Sequence, residues 1–448
     1  MAAVRGRHGG GERCRSVGGR RGQARGRRAG HGGPGANAMS GRLNLVAAAF
    51  ALTALSYGLA RFAYGLLLPD IRAELSLSAT AAGWVAGSAF AAYCFGIVFA
   101  IMGAARLGER GLTVAAGLAA TCSLALVSMA ASGLGLGLAI ALGGLSTGLT
   151  SPPLATAVSR WLDGTARPKA NGAINAGTAA GIMFSGISVM AFAGQWRGLY
   201  GGFAAIGAAV TAWLWVAMPK GSGHRMGERL SARGMARAGA AGLCASAFLM
   251  GAASTAIWTF GANLMREELG MQDGAIALGW IVLGAAGLAG MGTGLLSARY
   301  GIGTVHRAAV FAMALAIAGL AAAPLAPMLA YAVMGLFGVA YIVSSGAFLL
   351  WGIRIYSDRP DMGLGLPFLM IALGQTAGAP LFGAIWDMAG SAAALLVLAA
   401  LMAGAACWTE SAGPALADSG ATPPRDGIGP DRPVATATRQ PAGEPRRR

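Results

Sequence analysis

From Leu43 to Trp408 the chain runs through twelve apolar segments, each near the roughly 20 residues a helix needs to cross a bilayer core. They fall at about 43–69, 81–102, 112–131, 134–159, 171–194, 198–218, 239–265, 275–297, 307–323, 328–350, 363–385 and 389–408. No stretch alternates like a barrel strand. Backbone inside hydrocarbon must satisfy its own polar groups, so a helical bundle is the remaining spanning solution. The expected fold class is an all-α membrane protein with twelve transmembrane helices. Most connections are short, which makes sequential helices antiparallel.

Composition agrees. Apolar residues make up 55% of the 448 and charged residues 11%, against about 25% charged in a soluble domain. An ordinary soluble enzyme, a coiled coil and a disordered protein are excluded. Of the 34 Lys and Arg, 10 lie in residues 1–42 and 6 in 409–448. The net charge of +17 therefore belongs largely to tails and loops, so the expected partner of the body is the lipid bilayer and not nucleic acid. Residues 1–42 form a basic tail expected to be disordered, as is the Pro-rich tail 409–448. Met39 is read as the true start; the other reading of residues 1–38 is an Arg-Gly arm for RNA or lipid headgroups. No apolar core of signal-peptide type follows the first arginines.

The body divides into 43–218 and 239–408 around a central loop, 219–238. The two parts echo each other. Phe62-Ala-Tyr64-Gly65 matches Trp258-Thr-Phe260-Gly261, and Gly83-Trp84 matches Gly279-Trp280, both at an offset of 196. Ala105-Arg106-Leu-Gly108 matches Ala298-Arg299-Tyr-Gly301 at 193. Three matches in order imply a six-plus-six duplication, with both halves inserted the same way up. With the N-terminus placed in the cytoplasm, inside connections hold 14 Lys and Arg and outside connections 3, namely Arg72, Arg197 and Arg266. That bias puts both termini inside.

These features resemble the major facilitator superfamily over residues 43–408. The superfamily writes Gly-x-x-x-Asp-Arg-x-Gly-Arg after its second helix. Gly294-Leu-Leu-Ser-Ala298-Arg299-Tyr-Gly301 keeps the glycines and the arginine, and Ala105-Arg106-Leu-Gly108-Glu109-Arg110 is a less complete copy. Both copies carry alanine at the aspartate place. Gln195-Trp196-Arg197 resembles another recurrent feature, and Arg61-Phe-Ala-Tyr64 before Leu68-Pro69 is similar to an efflux-like bacterial branch. The resemblance implies a monomeric secondary transporter of a small organic molecule in a bacterial inner membrane, working by alternating access, with efflux as the direction. It implies no cofactor and no enzyme activity. Its cavity is lined mainly by helices 1, 4, 7 and 10. Ala139, four before Gly143, and Ile187 after Gly186 depart from proton-driven drug exporters, so that mechanism does not carry over. Uptake of an anionic metabolite stays open, as, more remotely, does a membrane-embedded enzyme or receptor.

Candidate site residues follow from polarity inside apolar runs. Thr53, Tyr57, Arg61 and Tyr64 are spaced to share one helical face. Arg61 lies eight residues before Pro69, roughly 12 Å inside that end at 1.5 Å per residue. A charge there costs at least about 2.5–3.5 kcal/mol and must face protein or water. It reads as a binding arginine for an anionic group, or as a structural tie to a neighbouring helix. Asn175, Thr259, Asn263 and Gln375 lie on further polar stripes, either cavity wall or interhelical hydrogen-bond glue. Substrate contact is assigned to Tyr57, Arg61, Tyr64, Asn175, Thr259, Asn263 and Gln375. Gating is assigned to Arg106, Gly108, Arg299 and Gly301 in the loops, and to the bend at Pro152 and Pro153. Trp84, Trp258 and Trp280 read as packing or pore lining.

No carboxylate lies at mid-membrane; Asp70 and Asp387 sit at segment ends. His306, with the other three histidines, reads as a tail or loop residue, and the cysteines as small buried hydrophobes. Neither a disulfide framework nor a metal cluster is expected. Gly144-Leu-Ser146-Thr-Gly148 matches a nucleophile pattern, but inside a membrane helix and without a histidine base. No phosphate-binding Gly-rich loop of the Walker type occurs.

Overall fold

A computed structural model describes residues 34–219 and 237–408. The charged tails and most of the central connection, where disordered tails, the alternative start and a basic loop were expected, lie outside the described residues. Among those described the chain is helical, with no strand.

Every expected segment falls on a helix. In order they are α1 (Gly41–Leu75), α2 (Ala79–Ala104), α3 (Arg106–Ser128), α4 (Gly133–Trp161), α5 (Lys169–Ala191) and α6 (Trp196–Ala217). The second half holds α7 (Ala240–Glu267), α8 (Asp273–Leu288 and Thr293–Tyr300), α9 (Ile302–Leu325), α10 (Leu329–Ile355), α11 (Met362–Ala389) and α12 (Ser391–Ala405). Ten are long and apolar enough to cross a membrane unaided; α8 is a pair bent by 55°, and α12 is a shorter apolar helix.

The duplication is visible in the packing. A Cβ on Gly144 of α4 would stand 1.9 Å from the Ala89 carbonyl oxygen of α2. A Cβ on Gly338 of α10 would stand 2.3 Å from that of Leu283 of α8. The same helix pair thus touches backbone to backbone in each half, as small residues permit in lipid. The loop glycines also correspond. Gly108 (φ 63°) kinks the chain in the first turn of α3, just after α2 ends, and Gly301 (φ 82°) separates α8 from α9. Glycine reaches this left-handed region without the steric cost a side chain would add.

The two ends of the bundle differ. Call the end where α1 begins the near end and the one where it finishes the far end. At the far end the halves meet closely: Gly83 packs on Ala379 and Gly383 on Ala79, joining α2 to α11. Gly65 of α1 packs on the Trp258 backbone of α7. Asp387 of α11 accepts from the first amides of α2, Ala79 N (3.1 Å) and Thr80 N (2.8 Å). Arg72 pairs with Glu267 at 3.0 Å, and Arg266 pairs with Asp70 at 3.3 Å and also with Asp273. At the near end, Arg160, Asn171 and Asn175 of the first half and Leu364 of the second are exposed.

Two expectations are corrected here. Cys122 and Cys407 are exposed and Cys94 and Cys244 half-buried, where buried side chains were expected. His306 is not in a loop. Gly301 ends α8 so abruptly that α9 begins at Ile302, which places His306 inside it and fully buried. Its Nε2 lies 2.8 Å from Ser246 Oγ and its Nδ1 3.0 Å from Ser344 Oγ. Ser246 donates its own proton to the Ala405 carbonyl at 2.8 Å. Nε2 must therefore donate to Ser246 and Nδ1 accept from Ser344. A neutral imidazole bonded at both nitrogens can sit in the membrane interior, and here it ties α7, α9, α10 and α12 together. Trp84 stands 64% exposed beside α11, on the outer side of a groove with Thr80, Thr376 and Pro380.

Candidate functional site

The centre of the bundle is organised by α1. Residues Ala54–Phe62 form a π-helical stretch, in which each hydrogen bond spans five residues. The wider turn alters which residues share a face. Ser56 points to α4, where its hydroxyl meets Ser146 (2.9 Å) and Thr150 (3.0 Å), and Thr147 donates to its carbonyl (3.1 Å). Ser146 also donates to the Ala116 carbonyl, so the nucleophile-like pattern is hydrogen-bond glue.

Arg61 occupies the end of the π-helical stretch. The helix continues past Pro69 to Leu75, so the Arg61 backbone lies about 20 Å from the far end of α1 by helical rise, deeper than the sequence implied. Four aromatic rings surround it: Tyr93 at 4.6 Å from Cζ, Phe90 at 4.8 Å, Phe62 at 5.2 Å and Tyr57 at 5.9 Å. Each ring face attracts a desolvated cation. Arg61 Nη2 donates to Gln375 Oε1 of α11 at 2.8 Å, and Nε has no partner. No carboxylate lies within ion-pairing distance of it among the described residues.

The second half completes the surroundings. Gln375 Nε2 reaches Ser254 Oγ of α7 at 3.4 Å. Trp258 stacks against Phe62 with centroids 4.3 Å apart, and meets Tyr341 at 5.2 Å and Trp280 at 6.2 Å. The indole N–H groups of Trp258 and Trp280 have no acceptor. Tyr57 faces the near end, half-buried, with its hydroxyl 2.6 Å from that of the exposed Ser151 in α4. The site can offer a permanent cation, hydrogen-bond donors and apolar walls.

The structure brings Tyr57, Arg61 and Gln375 together. Tyr64 is separated from them: its hydroxyl donates to the Ala82 carbonyl at 3.1 Å, tying α1 to α2. Both residues face α2, as their spacing implies, but at different levels: Arg61 meets Phe90 and Tyr93, whereas Tyr64 reaches Ala82 nearer the far end. Asn175 is exposed on α5. Thr259 is buried at a break in α7, Thr259–Phe260, and Asn263 is buried beyond it, with both amide atoms lacking partners. Phe90, Tyr93 and Ser254 were not singled out beforehand; an aromatic pair three apart in α2 was the available signal.

A family model described as Major Facilitator Superfamily matches residues 50–365. The chain belongs to the major facilitator superfamily. No curated protein matches it in sequence. Among solved superfamily structures it resembles the nucleoside transporter NupG, with a TM-score of 0.69 at 15% identity over 82% of this chain and 98% of that one. A bacterial homologue of the human lysosomal transporter Spinster, inward-facing and unoccupied, gives 0.68 at 15% identity over 82% and 96%. The human organic anion transporter MFSD10 gives 0.58 at 16% identity over 82% and 99%. Identities this low carry the superfamily fold and not a substrate.

The superfamily loops keep their form without their aspartate. Arg106 is exposed beside Gly108, and Arg299 lies over its neighbour Tyr300 beside Gly301. In the first loop Glu109, buried, pairs with Arg160 of α4 at 2.6 Å. Pro152 and Pro153 lie within continuous α4, where Thr156 donates to the Pro152 carbonyl at 3.1 Å.

Proposed function

We propose that this chain is a secondary transporter that moves a small organic anion across a bacterial cytoplasmic membrane by alternating access. Arg61 is the group that holds the anion. The observation that carries the reading is a buried guanidinium with an unpartnered Nε, one neutral amide acceptor and no carboxylate. A charged acceptor bonds guanidinium more strongly than an amide oxygen does and can accept two parallel N–H groups.

In this reading Tyr57 and Gln375 flank the bound anion, and Asn175 lies on its path from the near end. Thr259 and Asn263 come within its reach when the far end opens. Tyr64 holds α1 in place. Gly108 and Gly301, with Arg106 and Arg299, let the helix pairs pivot, and the proline pair shapes α4. The near end is the cytoplasmic one, supported by 14 basic residues in its connections against 3 opposite. Both termini are then cytoplasmic, the unit is a monomer, and the direction is export.

The test is thermal stabilisation of the purified full chain by monocarboxylates, phosphate esters, nucleosides and sugars. Anions should raise Tm in the wild type and not in Arg61→Gln. Stabilisation by a sugar or nucleoside that Arg61→Gln leaves intact would overturn the reading.

A further inference from the structure

Arg61 is the one charged side chain deep in the bundle among the described residues. The acidic residues stand at the two ends: Asp70, Glu74, Glu267, Glu268, Asp273 and Asp387 at the far end, Glu109, Asp163, Asp358 and Asp361 at the near end. His306 is buried, but it is enclosed within the second half between Ser246 and Ser344, not at the seam. Arginine keeps its proton in a protein pocket. The charge of the site is therefore the +1 of Arg61: the other titratable groups that face it are the phenols of Tyr57, Tyr93 and Tyr341 and the thiol of Cys94, and among the described residues no carboxylate or imidazole stands beside it to exchange a proton for the anion.

We infer that transport is electrogenic: one singly charged anion crosses without a coupled proton, and the membrane potential drives it outward. This rests on the reading of Arg61 as the anion site and of the near end as cytoplasmic. The loaded site is neutral, so its reorientation ignores the potential. The empty site carries an uncompensated cation, so its reorientation does not. With the far end closed, Arg61 lies on the near side of the seal. An inside-negative potential holds the empty carrier in that state, ready to load from the cytoplasm. Each cycle then exports one negative charge. A proton symporter of the same anion would be electroneutral and its empty state would lack this bias.

The test needs no substrate. Leu68 of α1 is fully buried and shares a helical face with Gly65 and Arg72, which both meet the other half. The full chain carrying Leu68→Cys is placed in proteoliposomes and labelled from outside with a membrane-impermeant maleimide. A potassium gradient with valinomycin sets the potential. Inside-negative polarisation should slow labelling, by up to about 50-fold at 100 mV, since one elementary charge is worth about 2.3 kcal/mol there. Adding Arg61→Gln should remove the dependence. Ala262→Cys, on a fully buried position of α7, serves as the second reporter if Leu68→Cys misfolds. Labelling that ignores the potential at a folded reporter, or a dependence that survives Arg61→Gln, overturns the inference. If anions still stabilise the protein through Arg61 while labelling ignores the potential, electrogenic export falls and the anion reading stands.

Discussion

Arg61 of α1 donates a 2.8 Å hydrogen bond to Gln375 of α11, and that bond crosses from one six-helix half to the other. It joins residues 314 positions apart at the level where a superfamily transporter must part its halves. An anion that takes the place of the Gln375 oxygen would loosen this tie as it binds.

Replacing that oxygen with a charged one should mimic the anion permanently. Gln375→Glu is expected to raise Tm, because it gives the buried guanidinium a counter-charge, and an uncompensated buried charge costs about 3–5 kcal/mol relative to its pair. It should weaken anion binding by at least about tenfold, the equivalent of about 1.4 kcal/mol. Thermal shift with and without anion reads both effects. A Gln375→Glu protein that binds anions normally would remove Gln375 from the site.

The backbone contacts at Gly144 and Gly338 should be equally intolerant. Leucine at either leaves the facing carbonyl nowhere to go and should cost about 1–3 kcal/mol or more. Gly172→Ala, where nothing lies within 4 Å of the added Cβ, serves as the control. Folded yield after detergent extraction checks all three; tolerance at one of the paired glycines and not the other would contradict the repeat-wide packing.

His306 is expected to act as a structural pin. His306→Phe keeps the ring beside Phe348 but strands the hydroxyl of Ser344 and removes the donor to Ser246. Stranded buried groups cost about 1–3 kcal/mol each. The variant should melt lower, with unchanged anion affinity if it is purified folded. An altered affinity at unchanged Tm would assign His306 to the transport cycle instead.

Arg237 and Asp358 form an ion pair at the near end, with Nη2 2.8 Å from Oδ2. The Arg237 guanidinium holds the Asp358 carboxyl down, from 3.8 to about 2. A depressed carboxyl contributes stability above its unfolded pKa and loses it as pH falls through the folded one. The Tm advantage of wild type over Asp358→Asn should be small, because the pair is exposed, and flat from pH 7 to about 4. It should shrink below that. An advantage that fades between pH 7 and 5 would assign the titration to another group.

The fold was legible because charge is so sparse between residues 43 and 408 that few other architectures could hold the chain. Arg61 stood out for the same reason: a lone charge in an apolar run must have an environment built for it. Its surroundings were not legible. Nothing in Ala54–Phe62 announces a π-helical stretch, and the spacing that set Tyr64 beside Arg61 could not show that its hydroxyl is taken up by the Ala82 carbonyl. The partner Gln375 was visible as a polar residue, but no local pattern couples positions in different halves. His306 was misplaced because flanking arginines and Gly301 look like a loop, whereas the glycine makes a turn so tight that the next helix starts at once. Phe90 and Tyr93 are ordinary membrane aromatics until the fold stacks them around a cation.

The central claim is that Arg61 binds the transported anion, and substrate kinetics across Arg61 variants test it most directly. Counterflow of the stabilising anion would be followed in proteoliposomes holding wild type, Arg61→Lys or Arg61→Ala, with Tm recorded for each. Lysine keeps the charge but not the planar fork. The expected result is a raised KM in Arg61→Lys and near-abolished flux in Arg61→Ala, with both proteins folded. Normal KM and flux in a stable Arg61→Ala protein would contradict the account.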